Sequence, residues 1–139
     1  VWDKPLIEKF HGILEAHQEP FTVLDLGAQT GSFSLLAKFF PDSRWYAFEP
    51  IYEAAEVLKQ NLAINEISNV SVHTLAVTHF MGKTTLYMPP LTAWGLATIG
   101  AFVERFEPVS SREVDCITLD RFVESNGIER VDFMKLDVE

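Results

Sequence analysis

Acidic residues and glycines follow two apolar segments in the first third of the chain. The stretch VLDLGAQTG is an apolar run that carries Asp25 and leads to Gly27 and Gly31. The stretch RWYAFE is an aromatic-rich run that ends in Glu49. Glycines directly after a strand permit a sharp turn or a close approach to a ligand, and carboxylates accept hydrogen bonds from hydroxyl groups or pair with cations. The spacing therefore predicts a ligand site at the ends of two strands.

Strand and helix patterns alternate around these residues. Apolar spacing and turn residues predict helices over 4–18, 31–40, 51–65 and 119–126. Strands are predicted over 21–26, 44–49, 69–77, 83–88, 111–119 and 131–138. Because such alternation with short links gives parallel strands, we expect an α/β fold, a Rossmann-like three-layer sandwich with parallel strand order 3-2-1-4. The two short strands that begin at 83 and 111 are expected to form an antiparallel insert.

The composition indicates one globular domain and argues against several classes of partner. The chain has 139 residues, of which 47% are hydrophobic and 22% are charged, a globular rather than a disordered balance. Its formal net charge is −9, and no cluster of Lys and Arg is present. Nucleic acid and anionic membranes are therefore not expected partners. No apolar run in the sequence approaches transmembrane length.

Cysteine and histidine usage and the chain ends give further expectations. The single cysteine, Cys116, cannot form an internal disulfide, which fits a reducing, cytoplasmic location. The four histidines are scattered, so no metal site is predicted. The sequence begins at Val1 and ends in KLDVE directly after an apolar run. We therefore expect residues 1–139 to be a single domain that is truncated on its C-terminal side.

Three classes of cofactor use a glycine turn between a strand and a helix. A P-loop requires Gly-Lys-Ser/Thr, whereas residues 31–33 are Gly-Ser-Phe. A dinucleotide fingerprint requires three glycines, and Gln29 occupies the middle position. S-adenosylmethionine has no phosphate, and Asp25 and Glu49 suit its ammonium group and its ribose hydroxyls. The turn therefore favours this cofactor, with a nicotinamide-dependent dehydrogenase or epimerase as the enzyme alternative.

Three motifs resemble those of a known family. VLDLGAQTG, WYAFEP and VDFMKLDVE look like the ordered motifs of the FkbM-type methyltransferases, a branch of the class I S-adenosylmethionine-dependent fold. The resemblance covers roughly residues 21–139 and implies an O-methyltransferase acting on a hydroxyl of a sugar or small natural product. This chain departs from the family at Gln29, where Asn is usual. It also departs after DVE, where the family continues into a glycine and further strands.

The resemblance implies roles for individual residues. The residues expected around the methionine end of the cofactor are Asp25, Gly27, Gln29 and Gly31. Glu49 would bind the ribose. The residues expected at the adenine are Pro50, Ile51, Ala76 and Val77, the last two through their backbone.

Two acidic residues at the end of the chain are the candidates for catalysis. By the same resemblance, Asp137 ends the fourth parallel strand beside the sulfonium methyl, and Glu139 follows it. Because a hydroxyl is a poor nucleophile at neutral pH, we expect Asp137 or Glu139 to act as the base or to orient the acceptor. The apolar, glycine-containing segment 89–106 is expected to cover the acceptor as a lid.

Structural roles are the alternatives at each position. Asp25 could pair with a backbone amide, Glu49 could be a solvated strand end, and Gly27 and Gly31 could serve turns and packing alone. The alternative function from another class is a non-catalytic remnant that binds cofactor without an acceptor pocket, or that only pairs with partners. Its last strand would then be an exposed edge, which favours a homo-oligomer.

Overall fold

A computed structural model describes residues 4–88, Ile99 and 110–138. The helices in these ranges are α1 (Lys4–Glu15), a 3-10 helix (Ser34–Phe39), α2 (Tyr52–Ile64) and α3 (Leu119–Ser125). The strands are β1 (Thr22–Leu26), β2 (Arg44–Phe48), β3 (Val70–His73), β4 (Ala76–Val77), β5 (Gly82–Met88), β6 (Ser110–Ile117) and β7 (Phe133–Leu136). The predicted segment 89–106 lies outside the described residues except for Ile99, and so does Glu139.

The main sheet has four parallel strands in the order β3-β2-β1-β7. Since β7 is the fourth parallel strand along the chain, the predicted order 3-2-1-4 is confirmed. The register places Asp25 of β1 beside Ala47 of β2 on one side and Lys135 of β7 on the other. This register brings the carboxyl ends of β1, β2 and β7 to one edge of the sheet.

Both faces of this sheet are packed. On one face, Val23 and Trp45 pack with Leu14 of α1 and with the 3-10 helix, and Leu58 of α2 packs over β2. On the other face, Phe48 and its neighbours in β1 pack against α3. The α/β three-layer architecture expected from the alternation of elements is therefore present. Within the described ranges, no helix has both the length and the apolar character needed to cross a membrane.

A second sheet has the strand order β4-β6-β5. Strands β5 and β6 pair antiparallel, as predicted for the insert. The prediction of one strand over 69–77 was wrong, because the chain leaves the main sheet after β3 and β4 pairs parallel with β6. The switch buries Ala76 with Leu86 and Cys116, in a cluster that also contains Ala54 of α2. An apolar β pattern continues through both strands, so the sequence alone does not reveal the change of sheet.

The predicted helix over 31–40 is shorter in the structure and is a 3-10 helix over Ser34–Phe39. Gly31 has a φ of 102°, which is incompatible with a helical start at that residue. Its N–H instead donates to the carbonyl of Ala28 and closes the turn. Sequence periodicity alone does not reveal this left-handed glycine, since Phe33 and Leu36 still follow a helical spacing.

Candidate cofactor-binding site

A pocket opens at the carboxyl ends of β1, β2 and β7, beside β4. Most of the predicted site residues line it: Gly27, Gln29, Glu49, Pro50, Ile51, Ala76, Val77 and Asp137. The remaining lining residues are Phe48, Leu75, Leu86, Ile99 and Val138. The structure thus brings together residues from three predicted strand ends in the position where open parallel sheets bind ligands.

The turn after β1 forms one wall of the pocket. Gly27 and Gln29 have φ angles of 74° and 49°, so both adopt the left-handed conformation. The N–H groups of Gly27 and Ala28 both donate to the carbonyl of Phe48, at 3.0 and 2.9 Å. A Cβ atom on Gly27 would overlap the carbonyl oxygen of Asp137. The glycine therefore permits the turn to lie directly against the end of β7.

Gly31 is buried and does not line the pocket among the described residues. Its φ of 102° is in the left-handed region, and a Cβ atom there would overlap Cδ1 of Leu58. The glycine allows α2 to pack closely on the turn. Asn61 of α2 adds a hydrogen bond of 2.8 Å from its side-chain amide to the carbonyl of Thr30. The structure thus places the second glycine at a packing contact behind the pocket wall.

Glu49 connects two walls of the pocket. Its Oε2 accepts a hydrogen bond of 2.9 Å from the N–H of Gln29, and its Oε1 accepts one of 2.8 Å from the N–H of Ile51. The residue is only 3% exposed. Each carboxylate oxygen can accept a second hydrogen bond, so both remain able to bind a ligand hydroxyl. The arrangement suits a vicinal diol that lies across the turn.

The charge state of Glu49 depends on opposing influences. Burial raises the pKa of its carboxyl group above the ordinary value of 4.5, and the N–H groups of Ile51 and Gln29 lower it. Among the nearby charges, Lys135 lowers this pKa and Asp25 raises it. The backbone donors and Lys135 therefore favour the carboxylate form, which is the stronger acceptor for hydroxyl groups.

Asp25 lies behind the pocket and does not line it. Its side chain is completely buried, and its Oδ2 accepts a hydrogen bond of 2.6 Å from Ser34 Oγ. Its Oδ1 lies 3.3 Å from Lys135 Nζ in an ion pair that lacks hydrogen-bond alignment. The carboxylate thus contacts side chains of the 3-10 helix and β7 rather than open space.

Lys135 has a place in this site that the sequence analysis missed. Its side chain is 10% exposed, and its Nζ donates to the carbonyl of Gly27 at 2.7 Å. The sequence contained one signal for this position. Side chains two residues apart in a strand lie on the same face of the sheet. Because Phe133 of β7 packs into the core, Lys135 points inward as well.

Of the two candidate catalytic residues, the structure describes Asp137 but not Glu139. Asp137 lines the pocket, its side chain is 60% exposed, and its Oδ2 lies 3.9 Å from Lys135 Nζ. An exposed carboxylate at the mouth of a pocket can contact a second molecule that enters there. Glu139 is outside the described residues, so its predicted role stays a prediction.

The end of the pocket away from the glycine turn is apolar. It is formed by Ile51, Leu75, Ala76, Val77 and Leu86. None of these side chains carries a polar group, so a flat heteroaromatic ring at this end would contact aliphatic carbon and backbone. Because the pocket is polar at the turn and apolar at its other end, a ligand with one polar and one apolar end would bind in one orientation.

Other residues with potential chemistry have structural surroundings. His73 packs against Phe48 and Phe122, with ring centroids 5.4 and 4.7 Å away, and burial lowers the pKa of its imidazole. Cys116 is buried in the core between the second sheet and α2. In the described part of the chain, no group of three or more His, Cys, Asp or Glu side chains is arranged to hold a metal ion.

Comparison with known proteins assigns the chain to a family. Residues 25–139 match the model of the methyltransferase FkbM domain. The chain belongs to this family. The match covers the glycine turn, Glu49 and the KLDVE segment, and it confirms the resemblance seen in the three sequence motifs.

A curated relative of this FkbM domain is methyltransferase sdnD from Sordaria araneosa. The two are 30% identical over 159 aligned positions, which include 93% of this chain and 60% of the relative. The FkbM chain described here thus spans less than two thirds of the length of that relative.

Two solved methyltransferase structures show partial likeness to this FkbM domain. The S-adenosylmethionine-dependent methyltransferase from Agrobacterium tumefaciens is 18% identical, with a TM-score of 0.49 over 53% of this chain and 24% of that one. Coclaurine N-methyltransferase is 23% identical, with a TM-score of 0.49 over 59% of this chain and 25% of that one. The strand order and register of this chain's own sheets define its fold independently of both.

Proposed function

We propose that this FkbM domain binds S-adenosylmethionine and transfers its methyl group to a hydroxyl group of a small molecule, such as a sugar or a natural product. The observation that carries the proposal is the position of Glu49. Its buried carboxylate lies at the end of β2, between the left-handed turn and the apolar end of the pocket. This is the position at which an acidic residue holds a ribose in dinucleotide-binding folds.

The pocket suits a nucleoside without phosphate. Gln29 occupies the site where a dinucleotide fingerprint has its middle glycine, and the N–H of Gln29 already donates to the Glu49 carboxylate rather than being available to a ligand phosphate. Two acidic side chains, Glu49 and Asp137, line the pocket. An acidic lining disfavours a pyrophosphate and favours a ligand with positive charge, as on the sulfonium and ammonium groups of S-adenosylmethionine.

The chain's own residues would bind and orient the reactants. When bound, the cofactor supplies an electrophilic methyl group on a sulfonium. Glu49 would hold the ribose hydroxyls, and the aliphatic residues Ile51, Ala76 and Leu86 would exclude water from the adenine. Fixing the reactants in line is worth about 7–11 kcal/mol of the barrier in well-oriented systems.

Asp137 is the described residue best placed to act on the acceptor. Its carboxylate is exposed at the end of β7, at the pocket wall next to Gly27. It would accept the hydroxyl proton of the acceptor, or a hydrogen bond from it, as methyl transfer proceeds. Asp137→Asn should therefore lower kcat for methyl transfer by about 100-fold or more while cofactor affinity changes little.

Titration calorimetry with two ligands tests the proposed function. We expect S-adenosylhomocysteine to bind and NAD to give no heat. Glu49→Ala should abolish the binding of S-adenosylhomocysteine, whereas Glu129→Ala, which removes an exposed carboxylate, should not change it. Binding of NAD alone would favour the nicotinamide-dependent alternative. A well-folded chain that binds neither ligand would favour the non-catalytic remnant that only pairs with partners.

A further inference from the structure

We propose that Lys135 is a positioning residue for the cofactor pocket, whose ammonium group holds the Gly27 turn against β7 and offsets part of the negative charge of two buried carboxylates, Asp25 and Glu49. This inference rests on the proposed binding of S-adenosylmethionine. It concerns the lysine of the KLDVE segment, to which the sequence analysis assigned no role.

The contacts of Lys135 converge on the turn. Its Nζ donates to the carbonyl of Gly27 at 2.7 Å and lies 3.4 Å from the carbonyl of Leu26. These carbonyls belong to the last residue of β1 and the first residue of the turn. A single side chain of β7 thus fixes the point at which the chain leaves the sheet and enters the pocket wall.

The backbone of the residue that follows β7 contacts the same turn. The N–H of Asp137 donates to the carbonyl of Leu26 at 3.1 Å. The carbonyl of Asp137 lies so close to Gly27 that it leaves no room for a Cβ atom there. The side chain of Lys135 and the backbone of Asp137 therefore both hold the turn against the end of β7. Since Gly27 and Asp137 both line the pocket, a shift of the turn changes the shape of the site.

The electrostatic role of Lys135 follows from its neighbours. Asp25 is its cross-strand partner in the parallel register, and the two charged atoms lie 3.3 Å apart. Glu49 at the end of β2 and Asp137 after β7 are the other acidic groups that face this region, and the ring of Phe33 lies 5.2 Å from Nζ. Asp25 and Glu49 are 0% and 3% exposed, so water screens their charges poorly.

The consequence for Glu49 is a pH dependence of ligand binding. Burial raises the pKa of Glu49, and the charge of Lys135 acts against this increase. Without the lysine, Glu49 would hold its proton to a higher pH. A protonated Glu49 is a poorer acceptor for the ribose hydroxyls, so cofactor binding would then require a higher pH.

If Lys135 only formed an ion pair with Asp25, its loss would affect stability and not ligand binding directly. Loss of Lys135 would leave Asp25 buried without its counter-ion, which destabilises a protein regardless of any ligand. A second substitution, Asp25→Asn, removes that unpaired charge. If Lys135 served only to neutralise Asp25, its loss would have no effect on ligand affinity once Asp25 is neutral.

The test is a cycle of variants: Lys135→Met, Asp25→Asn and the double variant. For each, thermal unfolding reports the fold, and calorimetry at several pH values reports the affinity for S-adenosylhomocysteine. We expect Lys135→Met to weaken binding about 10- to 100-fold and to move the pH midpoint of binding upward. We expect the double variant to unfold at a higher temperature than Lys135→Met, yet to bind more weakly than Asp25→Asn. Lys83→Met, which removes an exposed lysine from β5, is the matched control and should leave affinity unchanged.

The outcomes separate the two proposals. If the wild type does not bind S-adenosylhomocysteine, the proposed function fails. If the wild type binds but the double variant binds as well as Asp25→Asn, the positioning role is overturned. Should Lys135→Met alone fail to fold, the comparison of the double variant with Asp25→Asn still decides, because both lack the charge of Asp25.

Discussion

The carboxylate of Glu49 accepts the backbone N–H of Gln29 through Oε2 and that of Ile51 through Oε1, at 2.9 and 2.8 Å. One side chain at the end of β2 thereby joins the turn after β1 to the residue that precedes α2. The group expected to bind the cofactor ribose is also the group that sets the distance between two walls of its pocket. Changes at Glu49 should therefore affect both the stability of the fold and its affinity for the cofactor. A conservative variant such as Glu49→Gln allows the two effects to be measured separately.

Glu49→Gln should destabilise the fold. Both backbone partners are donors, so a glutamine must direct its NH₂ group at one of them and leave that N–H unpaired. The expected loss in the free energy of unfolding is about 1–3 kcal/mol. Urea denaturation of Glu49→Gln and of the surface control Glu129→Gln measures this difference. Equal stability of both variants would show that the hydrogen bond lost in Glu49→Gln contributes no net stability.

The ionisation of Glu49 should make stability depend on pH. Because burial raises its folded-state pKa above 4.5, the folded chain keeps this proton to a higher pH than the unfolded chain does. The contribution of Glu49 to the free energy of unfolding should therefore fall as pH rises from about 4.5 through the raised pKa, and stay constant above it. The measurement is urea denaturation at a series of pH values, with the curve of Glu49→Gln subtracted from that of the wild type. A difference that increases with pH over this window would contradict the prediction.

Much of this site could be predicted from local sequence. Alternating strands and helices gave the parallel order, and a glycine turn with a strand-terminal acid located the pocket, because these features depend on neighbours along the chain. The ion pair of Asp25 with Lys135 joins residues at opposite ends of the sequence and depends on the register of β1 with β7. The passage of β4 into the second sheet also depends on distant residues, those of β6. The alternation of Phe133 and Lys135 indicates an inward-facing lysine, but no pattern in the sequence identifies Asp25 as its partner or β6 as the partner of β4.

Gly27→Ala should damage the pocket, whereas Gly12→Ala should not. At Gly27 the φ of 74° is left-handed and a Cβ atom would overlap the carbonyl of Asp137. We expect a loss of stability of more than about 1–2 kcal/mol, together with weaker binding of S-adenosylhomocysteine. Gly12 lies exposed in α1 with no atom within 4 Å of an added Cβ. There alanine should stabilise the helix by about 0.5–1 kcal/mol. Thermal unfolding of the two variants, with opposite signs expected, tests the difference.

The end of α2 offers a stabilising substitution at a distance from the pocket. The N–H of Ile67 donates to the carbonyl of Leu62, and the N–H of Glu66 donates to that of Ala63. This is the pattern of a Schellman motif, in which glycine is preferred at the left-handed position. Glu66 occupies that position with a φ of 59°.

Glu66→Gly should therefore raise the free energy of unfolding by about 0.5–1 kcal/mol, because glycine adopts this conformation without steric cost. Removing an acidic group near the C-terminal end of a helix also helps, since the macrodipole is negative there. Glu66→Ala removes the same charge but keeps a Cβ atom, so it isolates the backbone effect. The glycine variant should be more stable than the alanine variant in thermal unfolding, with the same affinity for S-adenosylhomocysteine. Equal stability of the two variants would mean that the left-handed backbone at this position carries no strain.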